Sequence, residues 1–207
     1  MRAAADAAQA GGVQSDPQAL PHTDWLRHEL TVSGPADDVA AFAAAAAGAG
    51  VIPWDYPDLD QWEEDQMHAL LHPPDGSTGL SVASARALAR ELRSAMADHH
   101  ARAVAQVGRS RACPFDLHAV LPVPASLLRL GPDDPAGRAW LRRHWGTVEP
   151  LRHVRQRVIA PDRRRRRTAR LDFEFWSADW TPWAALTALR RRWPRLVLDL
   201  RPDYGHV

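Results

Sequence analysis

The chain contains no lysine; every one of its 26 Lys/Arg positions is arginine. A P-loop of the form GxxxxGK[ST] is therefore excluded, because its phosphate-gripping residue is missing. The dinucleotide fingerprint GxGxxG is absent as well. Ser126 lacks the G-x-S-x-G surroundings of a nucleophile elbow. Cys113 is the single cysteine, so no disulfide forms within the chain and a reducing cytosol is the default compartment. No apolar run reaches the ~18 residues of a membrane-spanning helix. Residues 1–24 lack the apolar stretch of a signal peptide and read as a disordered tail.

What is present is charge, and it is unevenly placed. The formal net charge is only +1. Residues 1–85 nevertheless hold 2 Arg against 13 Asp and Glu, and residues 86–207 hold 24 Arg against 12. An acidic front half and a basic back half either neutralise each other in the fold or leave a basic face for a polyanion.

The hydrophobic pattern gives the organisation. Leu26, Leu30 and Val32 alternate with polar residues, as in a half-buried strand. A helix follows from Pro35, with Asp37 and Asp38 at its positive end and Val39, Phe42, Ala43 and Ala46 as its buried stripe. Residues 51–53 read as a short strand. Residues 54–108 read as a helical insertion: an acidic, turn-rich stretch, a short helix, a Pro/Gly loop, then a long helix capped by Ser81 and running to about Val107. Its stripe of Ala85, Leu88, Ala89, Leu92, Met96, Ala103 and Val107 is rich in small residues, which suits a homodimer contact through helix 82–107.

Beyond the insertion, Phe115, Leu117, Ala119 and Leu121 alternate and predict a strand. Asp134, Pro135 and Gly146 bracket a helix. Leu151 to Val158 predicts a strand, as does the alternation of Leu171, Phe173 and Phe175 with Asp172, Glu174 and Trp176. A last helix starts at Thr181-Pro182, with Trp183, Leu186, Leu189 and Trp193 as its inward stripe, and RLVLDLRPDY closes the sheet. Residues 25–207 thus predict one α+β domain. The simplest match is a ferredoxin-like antiparallel sheet with helices packed on one face.

The stretches FDLHAVLPVPASLL, WLRRHWGT, FEFWSADWTPWAAL and WPRLVLDLRPDYG resemble the YubB-like ferredoxin-fold family of bacterial plasmid and phage proteins. Trp140, Trp145, Gly146 and Thr147 match that family's W-x-x-x-N-W-G-T-K-W stretch. Trp176, Trp180, Pro182, Pro194 and Tyr204 match its end, and the likeness spans about residues 113–206. His144 stands where the family has Asn, and Val148 and Glu149 where it has Lys-Trp. The resemblance implies a fold and no chemistry.

Four constellations remain. Trp176, Trp180, Trp183 and Trp193 crowd the C-terminal region, and their first reading is interior packing. Trp176 alone faces outward, where an aromatic ring can stack a base. Arg163, Arg164, Arg165, Arg166 and Arg167, with Arg170 nearby, form a mutually repulsive block that a phosphate backbone would relieve. Glu64, His68 and His72 share one helix face, the spacing of a divalent-cation grip. Pro73-Pro74 unravels that face, and the block is read as a surface helix with no metal. His118 and His144 have no nucleophile or orienting partner at a catalytic spacing. The sequence therefore points to a cytoplasmic, non-enzymatic binding or accessory protein without cofactor. Nucleic-acid binding through the arginine-rich loop is the alternative, and a metal-assisted hydrolase or nuclease the third reading.

Overall fold

The computed structural model describes residues 23–55, 59–73, 76–157 and 167–203. The order is β1 (Trp25–Pro35), α1 (Ala36–Ala46), α2 (Leu59–Leu71), α3 (Val82–Gln106), α4 (Leu117–Val120), α5 (Ala125–Leu128), α6 (Pro135–His144), β2 (Arg152–Arg157), β3 (Thr168–Ala178), α7 (Trp183–Arg192) and β4 (Val197–Asp203). The four strands form one sheet in the order β2-β3-β1-β4, antiparallel throughout. Taking α1 and α7 as the two crossover helices, this is the split β-α-β arrangement of a ferredoxin-like fold. Helices α2 to α6 are inserted between α1 and β2.

The period-2 reading of the strands places their faces correctly. His28, Leu30 and Val32 of β1, Phe173 and Phe175 of β3, and Leu198 and Leu200 of β4 are buried against the helices. Phe42 of α1, Leu141 and Trp145 at α6, and Leu186 and Leu189 of α7 fill the other side. Phe115 joins the layers, with ring centroids 5.5 Å from Phe173 and 5.6 Å from Phe175. Burying aromatic rings of this size supplies much of the apolar area that offsets chain entropy.

Two expected strands are absent. Residues 51–53 form no strand; Ile52 is buried from a loop, and Gly48 and Cys113 form an isolated bridge beside it. Residues 115–121 form the single turn α4 instead of a strand. Asp116 decides this: its carboxylate accepts from His118 N at 2.8 Å and from Gly50 N at 2.9 Å. Beyond the buried Phe115 and Asp116, the apolar residues turned inward are Leu117, Val120 and Val123, three apart, while Ala119 and Leu121 of the expected alternation are only partly buried. Losing both strands reduces the sheet to its four members.

The inserted helices α2 and α3 form a hairpin. Ser81 caps α3 as expected, its hydroxyl accepting from Ser84 N at 3.2 Å. Ala85 and Ala89 are the buried residues of α3. Arg93 pairs with Asp60 and Glu63 across the hairpin, and Arg90 with Glu63. The front half's acid and the back half's base therefore do meet here. No described helix is long and apolar enough to cross a membrane.

The tryptophans divide differently from the expected packing. Trp145 and Trp54 are the deeply buried ones. Trp193 lies half-buried, edge-on to Phe42 at 5.7 Å. Trp180 and Trp183 are 43% and 47% exposed, so they do not fill the interior. The cause is the docking of α7 onto the end of α6. Ala185 N donates to Trp145 O at 3.1 Å, Trp145 takes the interior space, and Trp183 is left at the rim of the buried arc formed by Ala185, Leu186 and Leu189.

Candidate functional site

The face of the sheet away from the helices carries alternate residues of every strand. Register sets Asp203, Arg27, Trp176 and Arg152 in one row, and Arg201, Glu29, Glu174 and Arg155 in the next. Oppositely charged neighbours on adjacent strands attract. Glu174 lies between two guanidinium groups, 3.2 Å from Arg27 Nε and 2.7 Å from Arg157 Nη2. These hydrogen bonds hold its carboxyl down at about 2. Asp172 pairs with Arg170 at 2.8 Å and accepts from Thr31 Oγ1 at 2.7 Å. Burial raises its carboxyl, but these two bonds together with the charges of Arg170 and Arg157 outweigh it, and the net shift is downward. Asp199 pairs with Arg201 at 2.9 Å. The face is a compensated charge lattice.

At one end the lattice gives way to aromatic rings. Arg152 lies 3.9 Å from the centroid of Trp25, a cation–π contact. His153 meets Trp176 edge-to-face, centroids 5.4 Å apart. Among the described residues, His153 (φ 50°) and Asp179 (φ 59°) are the two non-glycine residues in the left-handed region, and both border this corner. His153 owes its conformation to a register shift in β2 between Arg152 and Arg155. Asp179 owes its own to the strand end, where Asp24 N donates to its side chain and Asp179 N donates to Asp24 O. Glu149 lies near Arg152 and Arg138, and burial pushes its carboxyl upward against the pull of those arginines.

At the other end, the β2–β3 hairpin is basic. Arg155, Arg157, Arg167 and Arg170 are exposed on its flanks. Arg157 and Arg170 are held by carboxylates, whereas Arg155 and Arg167 have no ion pair among the described residues. Arg163, Arg164, Arg165 and Arg166 lie outside the described residues, as does Tyr204.

The remaining sequence candidates have structural tasks. Trp145 donates from Nε1 to Leu121 O at 2.9 Å. Thr147 is fully buried, its hydroxyl donating to Ala178 O at 3.0 Å. Gly146 adopts φ 85° against the backbone of Thr181 and Trp183, a place that only glycine fills without strain. Trp140 stacks on His144 at 4.4 Å. The ring of His118 is half-buried and accepts from Val123 N, and burial lowers its pKa. His68 and His72 touch at 5.0 Å between centroids, and both are exposed. Among the described residues, no group of three His, Cys, Asp or Glu side chains could hold a metal.

Sequence reasoning missed the buried polar group His28–Thr181–Ser177. His28 Nε2 lies 3.0 Å from Thr181 Oγ1, and its ring stacks on Phe175 at 5.3 Å. Ser177 donates to Trp180 O at 2.6 Å. The signal was available: His28 and Ser177 occupy inward positions of their alternations. The group is enclosed, with His28 at 0% exposure, and holds the corner between β3 and α7. A small apolar void nearby, lined by Leu30, Phe115, Phe175 and Leu186 among others, offers no polar group to orient a ligand.

Compared with known proteins, the chain matches no family model and no curated protein. Among solved structures, it is similar to the crystal structure of a protein api92 from Yersinia pseudotuberculosis, assigned to the family DUF1281. The identity is 13% over 88% of this chain and 90% of that one, with a TM-score of 0.46.

Proposed function

We propose that the protein is a non-enzymatic binding protein that holds a nucleic-acid backbone with the arginines of its β2–β3 hairpin. The observation that carries this reading is the contrast between two sets of arginines. Those over the centre of the open sheet face are compensated by Glu29, Glu174, Asp172, Asp199 and Asp203. Arg155 and Arg167, at the base of the hairpin, have no carboxylate partner among the described residues, and Arg163–Arg166 lie between them in sequence. Uncompensated like charges repel, and phosphates relieve that repulsion while releasing counterions. Kinship with the YubB-like ferredoxin-fold proteins is part of the same proposal. The burial of Trp145 and Thr147 and the left-handed Gly146 give physical reasons for a shared W-G-T stretch.

Electrophoretic retardation of DNA and RNA across a salt series tests the reading. Binding should weaken steeply with salt, by about 0.9 in log–log slope for each duplex phosphate contacted. Replacing Arg163–Arg167 by Ser should flatten that slope. Absence of retardation at low salt overturns the reading.

A further inference from the structure

Strand β2 joins the basic hairpin to the aromatic corner. Its exposed Arg152, Arg155 and Arg157 stand opposite Trp176, Glu174 and Asp172 along one edge of the open face. An outward carboxylate beside an aromatic ring would ordinarily deter a phosphate, but Glu174 is already bound by Arg27 and Arg157 and Asp172 by Arg170. The guanidinium of Arg152 lies over Trp25, and such stacking leaves the N–H donors at the rim of its plane available to an oxyanion. The half-buried ring of Trp176 meets His153 at 83° between ring planes, and that imidazole is exposed on a backbone at φ 50°.

We propose that this edge is a binding site for single-stranded nucleic acid, in which one base takes the place of His153 on Trp176 and the flanking phosphates lie along Arg152 and Arg155. The inference rests on the nucleic-acid reading above and narrows it. A duplex base has both faces covered by its neighbours, whereas an unpaired base can leave the stack and present a face to an aromatic side chain. The charge lattice supports the same choice, since it leaves the sheet face neutral enough for the apolar face of a base to approach.

The test compares three ligands: a fluorescent oligothymidylate, an abasic phosphodeoxyribose oligomer of equal length, and heparin. The proteins are the wild type, Trp176→Ala and Trp176→Phe, each checked for folding by circular dichroism. The wild type should bind oligothymidylate more tightly than the abasic oligomer. Trp176→Ala should lose that preference, weakening oligothymidylate binding about 5- to 150-fold, while Trp176→Phe keeps most of it. Binding of heparin and of the abasic oligomer should be the same in all three proteins. His153→Gly should bind oligothymidylate at least as tightly as the wild type. Equal wild-type affinity for the base-bearing and abasic oligomers overturns this site and leaves the hairpin reading standing. Failure of all three ligands to bind overturns both.

Discussion

Arg157 reaches across from β2 to Glu174 on β3, its Nη2 donating to Glu174 Oε2 at 2.7 Å. With Arg27 on the other side, the carboxylate is bound from both neighbouring strands. Individual surface ion pairs contribute little, about 0–1 kcal/mol. A group shared by three strands differs, because it ties their side chains into one network and leaves the sheet face without a dominant sign.

Acid should weaken the fold through Glu174. Its carboxyl titrates at about 2 in the folded protein against an ordinary 4.5, so the unfolded chain takes up the proton first as pH falls. The contribution is full above about 4.5 and is lost as pH falls towards 2. Urea unfolding between pH 5 and 2.5 should show a steeper decline for the wild type than for Glu174→Gln. Parallel curves would remove Glu174 as the cause.

His28 should stay neutral where an exposed histidine is protonated. Burial lowers its pKa from the ordinary 6.5, against a smaller opposing contribution from the Leu26 backbone. A depressed folded value means that its contribution to stability is present above about 6.5 and falls as pH drops below it. An NMR titration should show the His28 ring taking up its proton at a lower pH in the folded protein than in the urea-unfolded chain. Protonation at the same pH in both states would contradict the enclosure of the His28–Thr181–Ser177 group.

Gly146 and Gly108 share a positive φ but differ in surroundings. A Cβ on Gly146 would meet Thr181 O and Trp183 N at 3.2 Å, whereas one on Gly108 meets nothing within 4 Å. Gly108→Ala should cost only the left-handed backbone penalty, about 1 kcal/mol. Gly146→Ala should cost about 1–3 kcal/mol more, because it presses α6 away from the start of α7. Chemical denaturation of the two variants checks the order, and equal losses would refute the packing argument.

Cys113 should be nearly inert to alkylation at neutral pH. Burial, reinforced by nearby Asp116, pushes its thiol up to about 11, even though its Sγ contacts the Phe115 carbonyl at 3.3 Å. Thiolate is the nucleophile, so iodoacetamide at pH 8 should modify folded Cys113 far more slowly than the urea-unfolded chain. Equal rates would show the thiol to be accessible.

Strands β1, β3 and β4 were legible because each is buried on one face, and a period of two then survives in the sequence. Helix α3 was legible through Ser81, but of its expected stripe only Ala85 and Ala89 are buried, and Leu88 and Leu92 are exposed. The stretch 115–121 was misread because Phe115, Leu117, Ala119 and Leu121 mimic that period, while the deciding contact, Asp116 with Gly50 N, joins residues 66 positions apart. Trp183 was misread for a related reason: its place on the stripe is real, but Trp145 occupies the interior first.

By itself the sequence determined the α+β class, the charge division between its halves, the lack of a lysine-dependent phosphate loop and the basic character of the β2–β3 hairpin. All of these follow from residue type and local period. Only the tertiary structure decided which arginines meet a carboxylate, which tryptophans face solvent and that His153 lies against Trp176. Those relations depend on strand register and helix docking, where residues over a hundred positions apart come into contact and the energy of each side chain is set by a neighbour that local sequence does not name.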